Sequence, residues 1–248
     1  MDRPAPPSLA DQFAAALDWW REAGVDSDFV EQPVNLLADP APQPTPAPAA
    51  PTKAVKADPP PPPAPRIGGD KAFWPATLAQ FPAWWLAEPA LDDAPVAARV
   101  PPRGMAGADL MVLVPMPEAG DGEQLLSGRQ GQLVAAMLRA MGIAPDAAYI
   151  AAALPRHMPV ADWDGLHEAG LGDVLLHHLA LAAPRRILVL GQDVLPLLGL
   201  EKRQGVRELP LNESRVPLLA SLAPDILLGN PRSRADLWRR WLDWTGTA

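Results

Sequence analysis

Apolar positions fall in two rhythms along this chain. Four short runs are apolar almost without a break: DLMVLVP (109–115), YIAAAL (149–154), RRILVLG (185–191) and VPLLASL (216–222). Each is bounded by Pro or Gly and none alternates, the pattern of strands buried on both faces of a parallel sheet. Elsewhere apolar residues recur at helical spacing. SGRQGQLVAAMLRAMG (127–142) stops at Gly142 and GLHEAGLGDVLLHHLALAA (165–183) stops before Pro184. DVLPLLGL (193–200) is short, and RSRADLWRRWLDW follows Pro231 as the last helix. There Leu237, Trp241 and Trp244 share one face and are predicted to pack on the sheet, with Trp238 partly off it. Strand–helix alternation predicts a three-layer α/β/α domain over 71–248, built on a four-stranded parallel sheet. FWPATLAQFPAWW (73–85) directly precedes the first strand and is predicted to cover that domain.

Two further zones come first. Residues 1–37 form a tail with one amphipathic helix: Ser8 is the N-cap, Leu9, Phe13, Leu17 and Trp20 recur at helical spacing, and Gly24 stops it. Residues 38–70 are a Pro/Ala-rich linker ending in PPPPPAPR, too poor in large apolar groups to form a core and expected to be a disordered, semi-rigid spacer with polyproline II character. An apolar stripe on a long stiff tether suits another protein's groove, where Trp is a favoured anchor. Phe13, Leu17, Trp19 and Trp20 are therefore the expected partner-binding residues. Docking back on the chain's own domain is the other possibility.

Composition narrows the chemistry. Thirty-three prolines in 248 residues shrink the foldable part, but 48% apolar residues suffice for one core. Cysteine is absent, which excludes disulfides, thiolate nucleophiles and cysteine-ligated zinc or iron–sulfur clusters. No apolar run approaches the roughly 20 residues that span a bilayer. MDRPAPPSLADQF lacks a basic start and an apolar signal region, so a soluble cytoplasmic protein is expected.

The net charge is −8, with five basic and ten acidic side chains in 1–70 against sixteen and nineteen in 71–248. Weak or absent DNA binding follows from that balance. Should DNA be touched, Arg203, Arg207, Arg232 and Arg234 are the residues expected to face it; ordinary solubilising charge is the plainer expectation. His157 is expected at the surface. His177 and His178 are adjacent on a helix and point about 100° apart, so no metal site and no cofactor are expected.

The order of these pieces resembles the uracil-DNA glycosylase superfamily, in particular its bacterial iron–sulfur branch. LMVLVPMPEAGDGE followed by LSGRQGQLVAAML is similar to that branch's Gly-Glu-Ala-Pro-Gly loop and Phe-Val-Gly-x-x-Gly-Gln-Leu-Leu helix start, matching at Gly128, Gly131, Gln132 and Leu133. AYIAA matches its Val-Tyr-Ile-Thr-Asn strand at Tyr149 and Ile150. LALAAPRRILVLGQDVLPLLG follows the family pattern almost throughout. APDILLGNP (223–231) is similar to its last motif, His-Pro-Ser/Ala-x-Leu-Leu-x-x-Pro.

The resemblance implies that the working positions have been replaced. The acidic residue that orients the attacking water falls at Met116, the Phe that stacks on the flipped base near Leu126, the Asn that reads the uracil edge at Ala152, and the His at Ala223. Cleaving the glycosidic bond of a flipped base needs a carboxylate near the oxocarbenium and donors aimed at the departing anion. Losing one such donor typically costs on the order of 100-fold. The resemblance thus implies a catalytically inactive pseudoenzyme acting as an adaptor in DNA replication or repair. The psi subunit of the bacterial DNA polymerase III clamp loader is the precedent for that plan, a tail plus a glycosylase-like domain without the chemistry. It makes clamp-loader or repair subunits the expected partners. The alternative is a divergent glycosylase excising uracil or another damaged base through relocated groups: Glu118, Asp121, Glu123 or His157. The plainer expectation for those carboxylates is a solvated acidic loop.

Overall fold

The structure, a computed structural model, describes residues 9–22, 66–92 and 99–246, and the chain divides into two units, 1–60 and 61–248. In the first, α1 (Leu9–Glu22) is the helix that the apolar spacing predicts. Its Phe13 and Trp19 are 66% and 60% exposed. The side chains of Leu17 and Trp20, the Ser8 cap, the Gly24 stop and the linker up to Pro65 lie outside the described residues.

The second unit begins with α2 (Phe81–Ala87), which carries Pro82 in its first turn, where a missing N–H leaves no helix bond unmade. There follow β1 (Leu110–Val114), α3 (Arg129–Ala140), β2 (Ala148–Ala152), α4 (Trp163–Glu168), α5 (Leu171–Ala182) and β3 (Ile187–Leu190). The chain closes with β4 (Gly205–Leu211), β5 (Ser214–Ser221), α6 (Pro224–Gly229) and α7 (Pro231–Gly246). The sheet order is β2-β1-β3-β5-β4. β1 pairs parallel with β2 and β3, setting Met111 opposite Tyr149 and Ile187, and β3 pairs parallel with β5. Every residue of β1, β2 and β3 is buried, which is why unbroken apolar runs mark them.

The α/β class therefore holds, but the expected count of four strands is one short. β4 lies antiparallel on β5, Leu209 opposite Val216, through a two-residue loop in which Asn212 takes φ +53°. It is an edge strand, buried at Leu209 and Leu211 and exposed at Val206, Glu208 and Pro210. That half-polar pattern, with a proline in it, does not read as an apolar run. The helix expected over 165–183 is two helices, α4 and α5, separated at Gly170 with φ +95°. Residues 193–200 form two 3-10 turns rather than a helix, the second opening at Pro196, which has no N–H to continue one.

The faces of the sheet follow the strand period. Leu110, Val112 and Val114 pack in one cluster with Val134 and Leu138 of α3 and Leu237 and Trp241 of α7. Met111 and Leu113 pack in the other with Leu171, Leu175 and Leu179 of α5. Outside α5 a third cluster holds Phe81, Trp85 and Leu91 against Val174, so the 73–85 stretch covers the domain as expected. Residues 66–70, which composition assigns to the linker, bond into the domain: Ile67 N–H donates to Ala169 O at 2.9 Å and Gly68 N–H to Ala90 O at 3.0 Å. Among the described residues no helix is long and apolar enough to cross a membrane.

Candidate functional site

From β1 the chain crosses to β2 on one side and returns to lay β3 on the other. The carboxyl ends of the strands beside such a switch point are where open α/β sheets hold ligands. At this end of the sheet Glu118, Ser127, Arg129, Gln130, His157 and Asp225 are among the residues lining a cavity of about 650 Å³.

The loop between β1 and α3 forms much of its wall and is built around two carboxylates. Glu118 accepts N–H bonds from Gly128 (3.0 Å) and Gly131 (2.9 Å) on one oxygen and from Gln130 (3.0 Å) on the other. These are donors that an α-helix leaves unpaired at its start, and a negative charge there is favoured by the helix dipole. Asp121 accepts from the backbone of Glu118 (2.9 Å), Leu126 (2.8 Å) and Ser127 (2.8 Å), and from Ser127 Oγ–H at 2.7 Å. Burial pushes the Asp121 pKa up, but the bonds from Ser127, Leu126 and Glu118 outweigh it and hold the carboxyl below its ordinary range.

The same folding back explains the two glycines. A Cβ on Gly131 would sit 1.8 Å from Leu126 O, and one on Gly128 would sit 2.7 Å from a Glu118 oxygen. Leu126 itself is held at φ +57°, unusual for a leucine. The expectation of a solvated acidic loop is thus corrected at Glu118 and Asp121: both are structural acceptors. Glu123 is exposed.

None of the four positions that the resemblance marks as replaced is among the residues lining the cavity. Met116 is half-buried against the α5-side cluster, and its Sδ accepts Met158 N–H at 3.4 Å. Leu126 and Ala152 lie together in the cluster on the opposite face. Ala223 is the N-cap of α6; its carbonyl accepts Leu227 N–H at 3.0 Å, but its methyl makes no cap bond. Of the groups weighed as relocated replacements, Glu118 and His157 line the cavity instead, joined by Asp225, to which sequence reasoning gave no role. His157 is half-buried rather than superficial, and its Nδ1–H donates to Pro117 O at 2.9 Å. In the neutral ring that bond leaves Nε2 with the lone pair. The available signal was position, a few residues past the carboxyl end of β2.

The four arginines expected to face DNA are mostly bonded within the chain. Arg207 donates to Glu201 O and Arg203 O, each at 2.7 Å. Arg234 donates to Leu227 O and to Leu228 O (3.0 Å), closing the end of α6. Arg203 pairs with Glu201 at 3.8 Å, and Arg232 is exposed.

A second polar centre is buried far from water. His178 Nε2 lies 2.8 Å from Tyr149 Oη, and its ring stacks on Phe81 with centroids 3.8 Å apart. Burial, aided by the neighbouring His177, pushes the His178 pKa down to about 3; burial also raises that of Tyr149. His177 turns elsewhere and donates from Nε2 to Pro75 O at 2.8 Å. Among the described residues no three His, Asp or Glu side chains gather as a metal site. No protein-family model matches this chain, and no curated protein sequence matches it.

Proposed function

We propose that the chain is a uracil-DNA glycosylase-like scaffold, a three-layer α/β/α domain, that has lost the glycosylase reaction and serves as an adaptor in DNA replication or repair. One observation carries this: the acids nearest the expected catalytic position are already engaged. Met116, Ala152 and Ala223 offer no ionisable group, while Glu118 holds three N–H donors and Asp121 four donors. A carboxylate so satisfied is a poor base, because taking a proton breaks the bonds that hold the loop. The parallel order β2-β1-β3-β5 supports the scaffold assignment. The exposed Phe13 and Trp19 of α1, with Leu17 and Trp20, supply the partner contact, and a clamp-loader subunit is favoured by analogy with psi.

Affinity capture with the full chain tests this. Recovery of a replication or repair subunit, lost on the double substitution Phe13→Ala and Trp19→Ala, is the expected result. His157 and Asp225 on the cavity wall favour a second reading, a divergent glycosylase. Single-turnover assays on uracil- and hypoxanthine-containing strands separate the two. Base release that vanishes on His157→Ala would replace the adaptor with an enzyme.

A further inference from the structure

We propose that the groove between α3 and β2 is a binding site for a small amphipathic carboxylate. It is a cavity of about 450 Å³, within the range of small-molecule sites. Ala135, Leu138, Ile143, Pro145, Ala148 and Ile150 supply apolar wall. Two guanidinium groups, Arg103 and Arg139, line the same space, and no Asp or Glu does.

The backbone sets Arg103 there. Its N–H donates to Ile150 O at 2.9 Å and its carbonyl accepts Ile150 N–H at 2.7 Å, an antiparallel bridge on the outer edge of β2. Its Nε donates to Leu125 O at 3.2 Å, which leaves both Nη groups without a hydrogen-bond partner among the described residues. Arg139 stands in the last turn of α3, and its guanidinium forms no ion pair or hydrogen bond among them.

Most other arginines near the sheet are tied down. Arg207, Arg234, Arg240 and Arg185 each have a partner within the chain. The Nη groups of Arg103 and the Arg139 guanidinium, both on exposed residues, stand beside an apolar wall with no hydrogen bond or ion pair among the described residues, although the charge of Asp121 acts on Arg103. A planar fork matches a carboxylate in two parallel bonds, and partial exclusion of water strengthens them. The apolar wall then takes the tail. A cation gains nothing here, and a bare anion forgoes the wall.

Titration of the full chain with octanoate, followed by nuclear magnetic resonance, is the test. Saturable binding at least tenfold tighter than for acetate or octylammonium is expected, with shifts centred on α3 and β2. Arg139→Gln should weaken it on the order of tenfold, and Ala135→Trp, which fills the groove from an exposed helix position, should abolish it with melting unchanged. Arg103→Gln is read only if it folds; the other two variants decide without it. Octylammonium binding as tightly as octanoate, or Ala135→Trp binding like the parent, overturns the assignment.

Discussion

The β1–α3 loop and the aromatic seat around His178 both remove polar groups from water, and they do so in opposite ways. In the loop each carboxylate oxygen of Glu118 and Asp121 accepts at least one hydrogen bond. In the seat His178 Nδ1 and Trp84 Nε1 are buried with no partner among the described residues. An orphaned buried group typically costs about 1–3 kcal/mol, so the seat persists through apolar area and ring stacking. The loop persists through directed bonds. A network that closes on itself is structure, and its carboxylates are spent on holding the loop.

Substitution of Phe81 breaks the comparison from the aromatic side. Phe81 is fully buried and contacts the rings of Trp84, Trp85 and His178. Phe81→Ala should lower stability by about 3–5 kcal/mol, read from denaturant unfolding, with the cavity-lining resonances near His157 little changed.

Acid separates the two regions by pH window. The His178 pKa falls from 6.5 to about 3 on folding, so below 6.5 the unfolded chain binds a proton that the folded chain refuses. Stability therefore falls as pH drops from 6.5 toward 3, by up to about 1.4 kcal/mol per unit. Asp121 acts later. Its folded pKa lies below 3.8, so its contribution is intact above that value and is lost only as pH falls through the folded pKa. Unfolding measured from pH 7 to 4 should show the first slope in the parent, and His178→Phe should flatten it. A parent curve with no slope in that range would remove the buried neutral imidazole from the account.

Two smaller effects sharpen the loop side. Glu118→Ala leaves three N–H groups at the start of α3 without their acceptor, and about 1–3 kcal/mol should be lost. The loss should grow if Gly131 is also changed to Ala, since a Cβ there meets Leu126 O. Ala223→Ser should stabilise the chain by about 1 kcal/mol, because α6 starts without a side-chain cap. A thermal melt suffices for both.

The expectations that held and those that failed sort by how local their cause was. β1, β2 and β3 were readable because strands buried on both faces must be apolar throughout. Leu237 and Trp241 were readable because one helix face repeats every three or four residues. β4 was missed because its pattern depends on lying at the edge of a sheet already formed. Glu118 looked like solvated charge because its acceptor role needs Gly131, thirteen residues on, folded back beside it.

What the amino-acid sequence determined alone is the placement of buried strands and amphipathic helices, the lack of thiol chemistry, and the side chains at Met116, Ala152 and Ala223, which cannot ionise. Those follow from residue type and period. Tertiary structure alone decided which polar groups are satisfied: Glu118 and Asp121 bonded, His178 half-bonded, and Arg103 and Arg139 free of ion pairs among the described residues. A polar group's chemistry is set by what lies within about 3 Å of it, and folding brings those neighbours from distant parts of the chain.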